Sequence, residues 1–344
     1  IKAFKFASNN RINIKTLTFL KKAFNYFVFN EGKRGVITNK FGEKMFTEKE
    51  FISEGDTLRG RWYKTDQNQN APCIIMCHGT SATITMGLSD YALEFQKRGL
   101  NVFLFDHAGF GRSEGANPQT INPLVQVKGI NDATSFVKTE SSLFNGKIIL
   151  WGDSFAGMLV LVAGALLKEI SGIVSFTAAC GLKRLEIKEE NEKFSKLKEI
   201  IDNGDFSQLE DLSREGPMPV VSVDQASNPS MLTGIQAFKW FIDQGGKWNS
   251  GWENKVTRVI PKTAAPFTPF LTAPFIQVPT LMMIGKDDEM PQIGKDAQLA
   301  VYEKIKSTKE LYEIDGGHFG ALYPGSSLFF EAIEKQASFI KSHI

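Results

Sequence analysis

Short apolar runs recur along the chain from Pro72 onward, and each ends in a small or polar residue. Pro72–Cys77 runs into His78-Gly79. Leu100–Phe105 runs into Asp106, and Ile148–Trp151 runs into Gly152-Asp153-Ser154. Ile173–Ala178, Thr280–Ile284 and Leu311–Ile314 repeat the pattern. Unbroken apolar runs of this length predict strands covered on both faces. Stretches of helical periodicity separate them. One runs around Gly87 to Arg98 and stops at Gly99, which suits a C-cap. Others run from Leu124 to Thr139, through Met158–Ala163, and from Ser327 to Ser342. Before the first run, two β-prone segments flank Glu54-Gly55-Asp56 between Phe51 and Tyr63, which predicts a hairpin. Strand and helix in alternation predict an α/β fold: a mostly parallel sheet with helices on both faces.

Two stretches break this rhythm. Residues 1–48 are rich in Lys, Asn and Phe. Within them, Thr16 to Phe29 has Leu17, Leu20, Phe24 and Phe27 on one helical face. Packing against the rest of the chain is the simpler expectation for that face than a membrane surface. About a hundred residues between Cys180 and Pro279 show no clear strand–helix repeat. A charged, exposed helix is expected from Leu182 to Ile201. Phe238, Trp240, Phe241, Trp248 and Trp252 follow, then a Pro- and Phe-rich stretch to Pro274. An insertion of this length on a compact sheet predicts a cap or lid. The expected organisation is an N-terminal helical extension (1–48), an α/β core (49–180 and 278–344) and a cap insertion (181–277).

Composition narrows the function. The chain has 344 residues and a formal net charge of +2. No Lys/Arg block is dense enough to clamp a nucleic-acid backbone, so no nucleic-acid partner is expected. No apolar run reaches the ~18 residues of a membrane span. Cys73, Cys77 and Cys180 are too few and odd in number for a disulfide framework. The first two read as small hydrophobes within a strand. The chain begins at Ile1 rather than methionine, which leaves room for a cleaved export signal. The expected compartment is the cytoplasm. There is no HExxH, P-loop, G-x-G-x-x-G after a strand, or metal-ligand cluster, so neither cofactor nor metal is implied.

The chemistry centres on Ile148-Ile149-Leu150-Trp151-Gly152-Asp153-Ser154-Phe155-Ala156-Gly157. Strand, tight turn with serine at its tip, then helix is the setting of a nucleophile elbow. The positions two before and two after the serine must be small. They are Gly152 and Ala156, the latter an alanine where the strict motif has glycine. Serine needs a base to become a nucleophile, usually a histidine held by a carboxylate. Of four histidines, His78 ends a strand, His107 follows Asp106, and His343 stands beside the C-terminus. His318 lies in Asp315-Gly316-Gly317-His318-Phe319-Gly320, after the last strand, where a loop can reach the site. The acid is sought in Gly285-Lys286-Asp287-Asp288-Glu289-Met290-Pro291. Asp288 is preferred, with Asp287 as the alternative. Donors for an oxyanion are expected from the backbone N–H groups of Phe155 and Thr80.

Taken in order, His78-Gly79, Asp106 with Gly109-Phe110-Gly111-Arg112-Ser113, Gly152-Asp153-Ser154, Asp288 and His318 resemble the α/β-hydrolase superfamily over about residues 50 to 344. Within it the chain looks similar to bacterial serine hydrolases of the dienelactone-hydrolase-like and S9/S15 peptidase-like branch. The resemblance implies an eight-stranded sheet, a cap after the sixth strand and a triad of Ser154, Asp288 and His318. The activity implied is hydrolysis of a small-molecule carboxylic ester or other acyl substrate through an acyl-enzyme. Peptide, thioester and C–C bond cleavage are the alternatives on the same triad. Dehalogenases and epoxide hydrolases of this fold carry aspartate at the elbow tip, where this chain has Ser154. A non-catalytic binding protein of the same fold would lack a triad member, and none is lacking here.

Overall fold

The computed structural model describes residues 45–68, 70–140, 144–204, 206, 212–263, 265–290 and 293–344. The chain divides into two units, Ile1–Phe46 and Thr47–Ile344, and the description below concerns the second. The helix expected over Thr16 to Phe29 lies outside the described residues.

The unit opens with β1 (Thr47–Ser53) and β2 (Asp56–Tyr63), then β3 (Cys73–Cys77), α1 (Leu88–Lys97) and β4 (Asn101–Phe105). A short β5 (Thr120–Ile121) precedes α2 (Pro123–Thr139), β6 (Ile148–Asp153), α3 (Ser154–Leu166) and β7 (Gly172–Phe176). The insertion carries α4 (Glu190–Asn203), β8 (Leu212–Met218), α5 (Ile235–Gly245), β9 (Val256–Pro261) and α6 (Pro269–Thr272). Then come β10 (Thr280–Gly285), α7 (Lys295–Lys304), β11 (Lys309–Ile314) and α8 (Ser327–His343).

Eight strands form one sheet in the order β1-β2-β4-β3-β6-β7-β10-β11. The hairpin pairs antiparallel within itself and against β4, and the remaining neighbours are parallel. Every residue of β3, β4, β6 and β7 is buried, as unbroken apolar runs require. From β3 the chain steps outward to β4 and then crosses back to β6 on the other side of β3. At such a reversal the loops leaving the strands' carboxyl ends diverge and open a crevice. The loops holding His78, Ser154, Asp288 and His318 all leave carboxyl ends of this sheet. Helix α3 is apolar all round, with ten of its thirteen residues buried, because it lies between the sheet and other helices.

The insertion departs from the sheet after β7, its sixth strand, as expected. Its contents differ from the sequence reading in two ways. The charged helix starts at Glu190 rather than Leu182, because Glu189 sits in the left-handed region (φ 58°) and interrupts any helix before it. There is also a second sheet, of order β5-β9-β8. It joins the insertion to the core, with Thr120 and Ile121 paired parallel to Thr257 and Arg258. The β-branched alternation Val256-Thr257-Arg258-Val259-Ile260 is the signal that could have revealed it. All three cysteines are free and buried. Among the described residues no helix is long and apolar enough to cross a membrane.

Candidate active site

The turn from β6 into α3 holds Ser154 at φ 54°, in the left-handed region. For a residue other than glycine such a conformation costs about 1–3 kcal/mol, and surrounding packing must impose it. That packing is visible. A Cβ on Gly152 would overlap the Ala156 carbonyl, so glycine is obligatory there. Ala156 is itself fully buried. The second glycine the packing demands is Gly157, where a Cβ would lie 2.9 Å from the Phe176 carbonyl oxygen. A methyl at position 156 is therefore tolerated, because α3 meets β7 one residue further on.

His318 Nδ1 lies 2.8 Å from Asp288 Oδ2, and the two side chains are 1% and 2% exposed. The carboxylate accepts from Nδ1–H, which leaves Nε2 as the ring's acceptor. Asp288 Oδ1 accepts from the Met290 N–H at 3.0 Å, so the carboxylate is held from both ends. Asp287 is exposed, and its N–H donates to Gly316 O at 3.1 Å. Of the two aspartates left open by the sequence, Asp288 meets the imidazole.

Ser154, His318, Thr80 and Asp153 line a narrow cavity. Leu232, Trp240, Phe241, Met290 and Phe319 complete its lining. Its volume is about 20 Å³, room for about one water. A larger cavity of about 380 Å³ lies by Asp56, Asn117, Thr120 and Arg214, and none of the predicted site residues line it. Trp240 and Phe241 come from the insertion. Trp240 stacks on Phe319 with ring centroids 5.2 Å apart, and its Nε1–H donates to Leu322 O at 3.3 Å. The other insertion aromatics stand elsewhere: Trp252 packs behind Phe241, and Trp248 is 85% exposed.

Of the two expected amide donors, Thr80 lines this space and Phe155 directly follows Ser154. Phe155 is in the first turn of α3, where the helix supplies its N–H no acceptor. Thr80 follows Gly79, whose N–H donates to Asp153 Oδ1 at 3.1 Å. A Cβ on Gly79 would stand 3.1 Å from Ser154 Cβ, so the loop approaches the elbow as closely as glycine allows. Asp153 is only 5% exposed, and burial pushes its carboxyl up to about 6 even though His318 and the Gly79 N–H act in the opposite sense.

The remaining histidines are accounted for. His78 Nε2 accepts from the His107 N–H at 3.1 Å, so its Nδ1–H donates to Gly79 O at 3.0 Å. Burial lowers the pKa of this ring, and that of His107 further, so both stay neutral. His343 pairs with Glu310 on the surface. Asp106 accepts from the Ile84 and Arg112 N–H groups at 2.9 and 3.2 Å, and a Cβ on Gly111 would collide with its carboxylate. The glycine-rich loop thus wraps a structural carboxylate.

Residues 68–213 match the family model described as serine aminopeptidase, S33. Thiohydrolase aneE of Aspergillus aculeatus is 27% identical over 87% of this chain and 94% of its own length. Polyketide transferase grgF of Penicillium sp. is 25% identical over 85% and 94%. The crystal structure of the α/β hydrolase GrgF from Penicillium sp. sh18 superposes with a TM-score of 0.62, at 24% identity, over 87% of this chain and 98% of that one. The chain has the α/β-hydrolase fold. It is an enzyme of the α/β-hydrolase type.

Two carboxylates at this candidate site lie outside what the sequence predicts. Asp153 stands one residue before the elbow tip and lines the cavity. Glu289 follows Asp288 in the same loop, and its Oε2 accepts the backbone N–H of His318 at 2.9 Å. Neither position carries a local signal, because each depends on a loop remote in sequence.

Proposed function

We propose that this hydrolase cleaves carboxylic esters of apolar acyl groups through an acyl-enzyme on Ser154. His318 removes the hydroxyl proton as Ser154 Oγ attacks the carbonyl, and Asp288 holds the imidazole in the productive tautomer. The N–H groups of Thr80 and Phe155 receive the oxyanion, aided by the positive end of α3. His318 then gives its proton to the departing alcohol, and water releases the acid by the same steps. Residues 181–277 act as a cap that supplies the apolar wall of the acyl pocket. The observation that carries this reading is the buried Asp288–His318 pair, whose histidine lines the same small cavity as a serine in strained left-handed backbone. A thioester is the second reading, favoured by relatives named thiohydrolase. A thiol, with a pKa near 8.5, leaves without full proton transfer, so the same site serves it.

The test is labelling with a fluorophosphonate, followed by turnover of p-nitrophenyl esters and acyl thioesters of increasing chain length. Labelling is expected on Ser154 and absent in Ser154→Ala. Stoichiometric labelling of another serine, with Ser154 untouched, would overturn the assignment. The ratio of kcat/KM between matched esters and thioesters decides the leaving group.

A further inference from the structure

We propose that Glu289 is a positioning residue: it holds the backbone of His318 while its neighbour Asp288 holds the ring. This rests on the triad reading above. The His318 N–H donates to Glu289 Oε2 at 2.9 Å, and Nδ1 meets Asp288 Oδ2 at 2.8 Å. Two consecutive carboxylates of one turn therefore grip one histidine at two points. The fit is specific on the other side as well. A Cβ on Gly317 would run into Glu289 Oε2 and lie 3.0 Å from its Cδ and 3.1 Å from Asp287 O. The carboxylate occupies the space that any side chain at 317 would need, so Gly317 and Glu289 are matched. The contact continues along both loops. Lys286 N–H donates to Ile314 O at 2.9 Å and Asp287 N–H to Gly316 O at 3.1 Å.

The mechanical consequence follows from leverage. A single bond at Nδ1 leaves the imidazole free to pivot about it. Rotation of the His318 backbone then carries Nε2 away from Ser154. Fixing the amide removes that freedom, and a misplacement of about 1 Å at a reacting atom can cost on the order of 10²-fold. The charge-assisted bond to the backbone amide suits this task, being stronger than a neutral one.

The test compares Glu289→Ala, Glu289→Gln and Gly317→Ala for kcat, KM and thermal midpoint on the best ester substrate. Glu289→Ala should lose roughly 10- to 100-fold in kcat with KM within about threefold, because the substrate walls are untouched. Glu289→Gln keeps an oxygen acceptor and should retain at least about a third of kcat. Gly317→Ala should resemble Glu289→Ala, since its methyl displaces the carboxylate. The double variant should lose no more than either single change, as expected when both break one contact. The proposal is overturned if Glu289→Ala keeps kcat within twofold of wild type, or if Glu289→Gln falls as far as Glu289→Ala. Should Glu289→Ala fail to fold, Gly317→Ala decides: wild-type kcat there overturns the proposal equally. Absence of Ser154-dependent turnover in the wild type would instead defeat the triad reading itself.

Discussion

Asp153 offers a quantitative check on the electrostatics of the elbow. Its carboxyl is buried between the Gly79 loop and α3, and is pushed up from 3.8 to about 6. The native state therefore holds this proton at pH values where the unfolded chain has released it. Between about pH 4 and 6 the native state binds more protons, so stability falls as pH rises through that window. The shift of about 2 units corresponds to roughly 3 kcal/mol, fully lost above pH 6. The side chain is buried, so solvent screening does little to reduce this figure. Asp153→Asn preserves shape and an oxygen to accept the Gly79 N–H, but it cannot ionise. The variant should match wild type near pH 4 and exceed it by about 3 kcal/mol at pH 7.5, a gain of roughly 6–10 °C in a domain of this size. Urea unfolding of both proteins at pH 4, 5, 6 and 7.5, followed by tryptophan fluorescence, measures the difference directly. A stability difference that stays flat across this range would refute the reasoning, because it would mean Asp153 ionises in the native state as freely as in water.

Three further outcomes follow from the geometry. Asp288→Asn should lower kcat by about 10⁴, the scale set by loss of the histidine's orienting carboxylate in a protease triad, whereas Asp287→Asn should stay within a few-fold of wild type; steady-state kinetics separate them. Gly152→Ala forces a methyl into the Ala156 carbonyl and should destabilise the fold by about 3 kcal/mol or more, read as a fall in thermal midpoint. Trp240→Ala removes one wall of the cavity and the stack on Phe319. It should raise kcat/KM for long acyl chains relative to acetyl by about tenfold, at a stability cost of about 3–5 kcal/mol.

Much of this enzyme was legible along the chain because it is written in near neighbours. A strand covered on both faces needs an unbroken apolar run, and β3, β4, β6 and β7 each have one. The elbow is a local object too: Gly152, Ser154 and the apolar helix that follows specify a turn with little reference to the rest of the molecule. The position of His318 on a glycine-rich loop after the last strand, and of the insertion after the sixth, follows from counting elements. Other features arise only when distant segments meet. Asp287 and Asp288 are adjacent and chemically identical, and the path of their turn against residues 314–318 alone decides which one faces the imidazole. Glu289 acquires its partner from the same encounter. Trp240 and Trp248 are both tryptophans of one insertion, yet one packs on Phe319 and the other stands in solvent. The second sheet joins Thr120 to Thr257, across more than a hundred residues. Periodicity and turn chemistry report the environment each residue creates for its own segment. Partner choice, burial of a charge and the facing of a side chain depend on surfaces supplied by other segments, and these exist only once the chain has packed.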